Sequence, residues 1–354
     1  MSSETSTPYT PASTSTTVAG NETVSLADEI KKYDTAKLIE FLKGQEDLGL
    51  SESALKILEN EEVNGRTFFK ITKEELERHG MKLGPATALV DFARECKEKK
   101  LRSFSSYKTK KDLKEVLAKY GVQDGRITDI PQFTPKPHNI DDKNEALLHC
   151  LKDIRLRLRN MGPVVESNEA IRCEYISAIL HACINIVREL TGKKISLNPQ
   201  FEVVGEENTG RVDYAIQALE ELICITEGKQ YQIAIGFAQN VIQCESALQT
   251  NKRKRKADDA FGEEYDYLFG IVTTATEWHF LLYTPDGLSC TSRNPLNIRF
   301  VESALEEGSE DEKELCKNVK RVMEVIVGLL RERVDVEKEP KNKKARVQEY
   351  LKKE

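Results

Sequence analysis

The spacing of apolar residues predicts a helical N-terminal region. Between residues 30 and 100 apolar side chains recur three and four positions apart, as at Leu38, Ile39 and Leu42, which places them on one face of a helix. Thr72 followed by Glu75 has the sequence of a capping box, which starts a helix at that point. The sequence therefore predicts a compact bundle of five short helices at 30–100.

From residue 144 to residue 334 the pattern switches repeatedly between helical and strand periodicity. Short β-branched runs bounded by turn residues indicate strands, and longer amphipathic stretches indicate helices. The predicted elements are helices at 145–160 and 167–190, strands at 195–204, 211–217 and 222–229, a helix at 230–248, strands at 265–274 and 277–283, and a helix at 310–334. We therefore expect an α+β multidomain protein whose second domain, 144–334, is an α/β domain with an αβββαβ core, with Ser167 as the cap of its second helix.

Three further segments lack the periodicity of either domain. Residues 1–25 are almost entirely Ser, Thr, Pro and small residues, which bury too little apolar surface to offset chain entropy, so we expect a disordered tail. Residues 101–143 are expected to be a linker because Pro and Gly interrupt the periodicity, although it contains a predicted helix at 111–120 and apolar residues suited to docking on the next domain. Residues 335–354 are expected to be a solvated tail of mixed charge.

Composition limits the classes of protein to which the chain belongs. Its 354 residues suffice for two or three domains, and its formal net charge of −6 does not indicate nucleic-acid binding. The eight cysteines form no C-x-x-C pair, which is typical of reduced thiols rather than of a structural zinc site. Neither a long apolar run nor a signal-peptide pattern is present, so we expect an intracellular protein, in the nucleus or cytoplasm, with no membrane partner.

Three charged residues near the ends of two consecutive predicted strands form the candidate chemistry. Asp213 interrupts the apolar run of one strand, and Glu227 and Lys229 end the next, with a spacing that points both side chains to the same face. Because the two strands lie at hairpin distance, we expect both carboxylates and the ammonium to meet at one place on the sheet. Mg²⁺ takes oxygen ligands, one or two of them protein carboxylates, so the sequence predicts a site for Mg²⁺ or Mn²⁺.

The order of these residues resembles the PD-(D/E)XK nuclease superfamily. Its motif is an Asp on one strand, Glu-x-Lys at the end of the next and a glutamine-bearing helix, with Val212 here in place of the usual proline. The resemblance implies a restriction-endonuclease-like fold. In that fold Asp213 and Glu227 would bind the metal, with the backbone carbonyl of Gly228 as a further ligand, and Lys229 would orient or activate the attacking water.

The same resemblance assigns residues on two helices to the site. Gln239 and Gln243, one turn apart on the helix after the Glu-x-Lys strand, match the glutamine motif of some branches. The superfamily also places an acid on the first helix of the fold, for which Glu174 is the candidate and Glu169 the alternative. Many members of this superfamily have lost activity, so the resemblance leaves catalytic competence open.

The helical region resembles a second family, the SAM domain (sterile alpha motif). The resemblance rests on these motifs, in order: Glu62-Val63-Asn64-Gly65, Phe68-Phe69, Ile71-Thr72, Leu76, Gly80-Met81 and Leu83-Gly84. SAM domains are protein-binding modules that associate with themselves or with other SAM domains, and a minority bind RNA. The resemblance implies that 30–100 binds a second copy of this chain or another SAM-domain protein.

A run of basic residues follows the glutamine-bearing helix. Its members are Lys252, Arg253, Lys254, Arg255 and Lys256. The composition suits a nuclear localisation signal or a patch that contacts phosphate groups, and it is equally typical of a solvated loop. Because the run is close in sequence to the candidate site, we keep it as a weak candidate for contact with a nucleic-acid backbone.

Two functions from different classes fit these patterns. The first is metal-dependent hydrolysis of phosphodiester bonds, with DNA favoured over RNA, by a protein that uses its SAM-like region for association. The alternative is a catalytically silent adaptor, an arrangement similar to some large fungal families and to Crinkler-type effectors. The intact Asp213, Glu227 and Lys229 favour the enzyme, whereas the acidic overall charge favours the adaptor. RNA binding by the SAM-like region ranks last because that region lacks a clear basic stripe.

Overall fold

The structure is a computed structural model that describes residues 23–45, 48–164, 167–218, 221–229, 232–258, 265–335 and 340–351, of which 23–24, 254–258 and 340–341 are described by their backbone alone. Its helices are α1 (Leu26–Ile30), α2 (Thr35–Lys43), α3 (Glu52–Asn60), α4 (Gly65–Phe68), α5 (Lys73–Arg78), α6 (Leu83–Glu98), α7 (Lys110–Ala118), α8 (Glu145–Met161), α9 (Glu169–Thr191), α10 (Ile233–Asp258), α11 (Glu310–Asp335) and α12 (Pro340–Leu351). Its strands are β1 (Thr23–Ser25), β2 (Lys100–Ser103), β3 (Ile195–Val204), β4 (Asn208–Ala218), β5 (Glu221–Gly228), β6 (Leu268–Thr273), β7 (Glu277–Thr284), β8 (Gly287–Cys290) and β9 (Leu296–Asn297).

Helices α1 to α6 pack around one apolar core. Leu38, Phe68 and Leu89 are at most 1% exposed within it. The capping box predicted at the start of α5 is confirmed: the side chain of Thr72 accepts from the backbone of Glu75, whose carboxylate accepts from the Thr72 backbone at 2.8 Å. The described part of 30–100 contains the predicted five helices, α2 to α6, and α1 ends at Ile30, where that range begins.

Gly65 stands where two of these helices touch. A Cβ atom at this position would lie 1.8 Å from the carbonyl oxygen of Ile30, far inside van der Waals contact. The start of α4 therefore approaches the end of α1 only because residue 65 has no side chain.

The described strands form one mixed sheet. Its main path is β1-β2-β4-β5-β6-β7-β8, with β3 paired to β4 and β9 paired to β7. Strands β3, β4 and β5 are antiparallel neighbours, and β6 returns parallel to β5 after α10. The order of helix, three strands, helix and strand from α9 to β6 is the predicted one, and β3 has the predicted bounds.

Helices cover both faces of the sheet. On one face α8, α9, α11 and α12 share an apolar cluster with strand residues such as Phe269 and Trp278. On the other face α7 and α10 share a second cluster, which includes Phe237 and Val241. Helix α9 has the length and apolarity of a membrane-spanning helix, but 61% of its apolar window is buried inside the protein, as in the central helix of a folded domain.

The segment expected to be a linker, 101–143, packs on the sheet, and the helix predicted at 111–120 is present as α7. Helix α7 and the chain around it contribute to the second cluster, where Leu117 and Ile130 are fully buried. Phe133, which was predicted to dock on the next domain, is buried in the first cluster. The apolar residues of this segment bury on surfaces supplied by distant parts of the chain.

Both chain ends differ from the predicted tails within the described residues. Residues 1–22 of the predicted disordered tail lie outside the described part, and 23–25 form β1. Near the other end α12 is a helix rather than a solvated tail. Its Val347 and Tyr350 are each 3% exposed in the first cluster, because a charged sequence can still bury one apolar face of a helix.

The cap of α9 also differs from the prediction. Asn168, not Ser167, is the capping residue, and its Oδ1 accepts from the backbone N–H of Ile171 at 3.0 Å. The Ser167 hydroxyl instead donates to the carbonyl oxygen of Val164 at 2.6 Å. Adjacent Ser and Asn are both good caps, and the turn before the helix decides between them.

The helical region is joined to the sheet by strand pairing as well as by side chains. Strand β2 pairs with β1 and also lies parallel to the start of β4. Leu101 of β2 and Val204 of β3 are buried in the core of the helical region. Lys32 Nζ lies 2.8 Å from the Glu202 carboxylate on β3.

Candidate active site

The candidate site is a row of polar side chains across three neighbouring strands. Tyr214, the residue after Asp213, pairs with Pro199 of β3 and with Thr226 of β5, so Asp213 lies beside Gln200 and near Glu227 in the sheet. Gln200 Nε2 donates to Asp213 Oδ1 at 3.1 Å, and the backbone N–H of Gly228 donates to Asp213 Oδ2 at 2.8 Å. The charge of Asp213 also raises the pKa of Glu227, so the two carboxylates expected to meet lie close to each other.

Glu227 is a buried carboxylate at the centre of this row. Its side chain is held by Lys229, whose Nζ lies 2.6 Å from Oε1, and by Gln243, whose Nε2 donates to Oε2 at 2.7 Å. Burial and the charge of Asp213 raise the pKa of Glu227 to about 7, against the opposing effect of Lys229 and Gln243. A buried acid and a half-buried acid with one ammonium beside them leave a deficit of positive charge at this place.

Lys229 is cationic at neutral pH. Burial acts to lower the pKa of Lys229, but the charge and the hydrogen bond of Glu227 outweigh burial and keep that pKa above its usual value. The ammonium can therefore orient or neutralise an anion, but it has no free electron pair with which to take a proton from water. Of the two roles expected for Lys229, the structure favours orientation over proton abstraction.

The two acids considered on α9 have different surroundings. Glu169, the first residue of the helix, is near enough for its charge to raise the pKa of Lys229. Glu174 has a 58% exposed side chain and pairs with Arg157 Nε on α8 at 3.7 Å. These contacts favour Glu169 over Glu174 as the acid near the site, the reverse of the expected order. The reason is that the side chain of Glu174 is turned toward Arg157 on α8.

The two glutamines on α10 make different contacts. Gln243 reaches Glu227, whereas Gln239 Nε2 donates to the backbone carbonyl oxygen of Tyr107 at 3.0 Å. Gln239 therefore fastens the segment after β2 to α10 and has no described contact with either carboxylate. The predicted role of Gln239 in the site is not supported by this geometry, since α10 turns its side chain toward the 101–143 segment.

Part of the basic run at the end of α10 is engaged elsewhere. Three of its side chains lie outside the described ones: Lys254, Arg255 and Lys256. Lys252 is exposed, but Arg253 stacks 6.0 Å from the ring centre of Phe41 and donates to the backbone carbonyl of Val204. Arg253 thus belongs to the contact between the helical region and the sheet, and it is not free to contact phosphate as expected.

Gln200 is a site residue that the sequence reasoning missed. Its φ of +49° is a left-handed conformation, which costs a residue other than glycine about 1 kcal/mol or more. Strained backbone of this kind collects at functional sites, and here it belongs to the residue that contacts Asp213. The available signal was Pro199, which interrupts the ladder pattern next to it.

The donor set fits a hard divalent cation held by two protein ligands. Across the residues that the structure describes, no group of three or more His, Cys, Asp or Glu side chains is arranged to hold a metal ion. Asp213 and Glu227 supply carboxylate oxygens from adjacent strands, and Mg²⁺ commonly takes one or two carboxylates and completes its shell with water and substrate. A third ligand from the Gly228 carbonyl stays a prediction.

Comparison with known proteins identifies the N-terminal region. A family model described as a SAM-like domain matches residues 6–95. The helical region is a SAM-like domain. The part of it that the structure describes begins at β1, and its capping box and the tight contact at Gly65 belong to this domain.

A second comparison gives a distant relative for a longer part of the chain. The chain is 28% identical over 216 residues to Crinkler effector protein 1 of Rhizophagus irregularis. The aligned part covers 60% of this chain and 42% of that protein, so the match spans about two fifths of the relative. No solved structure matches the chain.

Proposed function

We propose that this chain is a metal-dependent nuclease of the PD-(D/E)XK type that carries a SAM-like domain for association with other protein molecules. The observation that carries the proposal is the convergence of Asp213, Glu227 and Lys229 at one place on the sheet. Burying an acid beside another acid costs free energy, so a purely structural role gives no reason for this arrangement. DNA is the favoured substrate over RNA.

The topology around the three residues supports the same proposal. Asp213 and Glu227 lie on the second and third strands of an antiparallel meander, and the next strand returns parallel after a crossing helix. The helix α9 packs on the other face of these strands. A restriction-endonuclease-like core has this order of elements, as the resemblance in the sequence implied.

Each residue of the candidate site would have a separate role in the proposed hydrolysis. Asp213 and Glu227 would hold Mg²⁺ or Mn²⁺ between β4 and β5, while Gln200 and Gln243 each fix one carboxylate. When bound, such a cation polarises a phosphoryl oxygen and makes water a stronger nucleophile. Lys229, as an ammonium, would donate hydrogen bonds to the scissile phosphate or to the attacking water and offset the negative charge that develops there.

The test is cleavage of plasmid and single-stranded DNA by the full chain with Mg²⁺, with Mn²⁺ and with EDTA. Asp213→Asn and Lys229→Ala, each checked for native circular dichroism, are expected to lower the rate about 100-fold or more. Cutting that persists in EDTA, or that runs at the wild-type rate in both variants, would show that another activity is responsible.

A matched pair of variants on α9 tests which acid belongs to the site. Glu169→Gln is expected to slow cleavage, and Glu174→Gln is expected to leave it near the wild-type rate because Glu174 pairs with Arg157. The opposite result would restore the order that the sequence predicted.

The second candidate function is a catalytically silent adaptor that acts through its SAM-like domain. It is favoured by one observation: both oxygens of Glu227 are already engaged, by Lys229 and Gln243. The Rhizophagus relative is named as an effector, a role that a nuclease or an adaptor would fill equally well. Absence of cutting by folded wild type, together with no heat of binding for Mn²⁺ in calorimetry, would favour the adaptor.

A further inference from the structure

We propose that a cavity between α8 and α11 binds a small anionic amphiphile, a single molecule with a phosphate or carboxylate head group on an apolar chain. The cavity has a volume of about 1000 Å³ and shares no residue with the candidate active site. Its walls come from α8, α11, the strand β7 and the extended segment at 132–137. Its size is at the upper end of the range for small-molecule sites.

One wall of the cavity is a stripe of cations along α11. The stripe consists of Lys313, Lys317, Lys320 and Arg321. Their spacing of three or four positions, with Arg321 next to Lys320, places them on one side of the helix. Lys320 lies 2.5 Å from the Asp142 carboxylate, and Lys313 lies 2.7 Å from the Glu310 carboxylate. Lys317 and Arg321 are exposed and have no carboxylate partner among the residues that the structure describes. These two side chains give the cavity positive charge that its own acids do not balance.

The rest of the lining is largely apolar. Phe133, Leu147, Leu151, Phe280 and Leu296 all contribute to it. An inorganic anion would make no use of these side chains, and a neutral apolar molecule would leave the two cations without a counter-charge. A ligand with one anionic end and one apolar end satisfies both parts of the lining.

The shape of the cavity favours a free molecule over a membrane surface. The extended segment that forms one rim is fixed to α11, since the backbone N–H of His138 donates to the carbonyl oxygen of Glu324 at 2.8 Å. Phe133, Leu147 and Phe280 are at most 5% exposed, so the apolar floor lies below the surface rather than on a protruding face. A single chain can enter it, whereas a flat bilayer cannot reach the apolar floor.

The experiment is a titration of the full chain with dodecyl phosphate below its aggregation concentration, with the heat of binding measured by calorimetry. The fluorescence of Trp278, the single tryptophan, is a second signal, because Trp278 pairs across the sheet with the lining residue Leu296. We expect one molecule bound per chain. The double variant Lys317→Ala/Arg321→Ala is expected to bind about tenfold or more weakly.

A matched double variant controls for loss of charge in general. Lys152→Ala/Arg159→Ala removes two exposed cations of α8 that do not line the cavity, and it is expected to bind as tightly as the wild type. Equal affinity of wild type and Lys317→Ala/Arg321→Ala would overturn the proposal, and so would absence of binding.

Three further probes separate the parts of the proposed ligand. Inorganic phosphate or neutral dodecyl maltoside binding as tightly as dodecyl phosphate would overturn it, as would binding only to vesicles of anionic lipid. Cys316 gives a test in the unaltered chain, because this half-buried thiol lines the cavity. Alkylation of Cys316 by iodoacetamide, followed by peptide mass spectrometry, is expected to slow when dodecyl phosphate is bound, and an unchanged rate would count against the site.

Discussion

Replacement of Glu227 by Gln is expected to stabilise the metal-free protein at alkaline pH and to do so much less at acidic pH. Glutamine keeps the shape of the side chain, and its carbonyl oxygen can still accept from Lys229. Its amide then faces Gln243, whose Oε1 has no partner among the described groups and can rotate to accept from it. The substitution therefore removes a buried charge without opening a cavity.

The size of this effect follows from the pKa of Glu227, which rises from its ordinary value of 4.5 to about 7. The unfolded chain loses this proton near pH 4.5 and the folded chain near pH 7, so stability falls as pH rises between those values and stays lower above them. By linkage the raised pKa of Glu227 lowers the free energy of unfolding by about 0.8 kcal/mol at pH 5 and by about 3.3 kcal/mol at pH 8. Glutamine does not titrate, so the stability difference between variant and wild type should grow by about 2.5 kcal/mol between the two pH values.

The assay is denaturant unfolding in EDTA at pH 5 and pH 8, followed by the fluorescence of Trp278. This tryptophan is buried on β7 in the same sheet, so it reports on the part of the chain that holds Glu227. In thermal unfolding the same difference corresponds to a shift of roughly 5–10 °C for a domain of this size. Glu307→Gln, a substitution of an exposed acid, is the control and should show little pH-dependent difference.

One result would refute this reasoning. If the stability difference between Glu227→Gln and wild type is the same at pH 5 and pH 8 to within about 0.5 kcal/mol, the Lys229 ammonium compensates the buried charge fully. Glu227 and Lys229 would then be a balanced structural ion pair, and the electrostatic argument for a cation site would fail.

Three further predictions concern other parts of the molecule. Burial acts to raise the pKa of Asp112, but hydrogen bonds, one of them from Arg102 at 2.5 Å, hold that pKa at about 2. Between pH 4 and pH 2 the free energy of unfolding of Asp112→Asn should therefore fall by about 2 kcal/mol less than that of the wild type, as measured by denaturant unfolding. Equal falls in the two proteins would contradict this. Gly65→Ala should destabilise the SAM-like domain by about 3 kcal/mol or more in thermal unfolding, because the added methyl group meets backbone. The control Gly84→Ala has open space at its Cβ position and should unfold no earlier than wild type. Arg253→Met removes the donor to a β3 carbonyl and should speed limited proteolysis between the SAM-like domain and the sheet, whereas an unchanged cleavage rate would show that strand pairing alone holds the two parts together.

Features set by neighbouring residues were predictable from the sequence. The bounds of β3 and the capping box at Thr72 depend on local alternation and on a three-residue spacing, and both are confirmed. The approach of Asp213 to Glu227 depends on the register of two strands that are close in sequence, and that register shifts only further along, between Ile216 and Gln217.

Features set by distant parts of the chain were not predictable in the same way. Gln200 could be recognised as a site residue only from the pairing of β3 with β4. The choice of Glu169 over Glu174 depended on how α9 lies relative to Lys229 and α8. The extent to which 101–143 is buried was not predictable for the same reason, because the surfaces that bury it come from α10 and from strands far along the sequence. Local periodicity does not contain that information.

The pairing of β2 with β4 has a consequence for any assembly of this protein. Strand β2 leaves the SAM-like domain and hydrogen-bonds to β4, the strand that carries Asp213. Rotation of the SAM-like domain against the sheet would have to break main-chain hydrogen bonds, so the arm between the two parts is stiff. If several copies associated through that domain, the distance and angle between their candidate sites would be set by docking geometry and not by the statistics of a flexible tether. Such an assembly would engage two positions on a long ligand at a fixed separation.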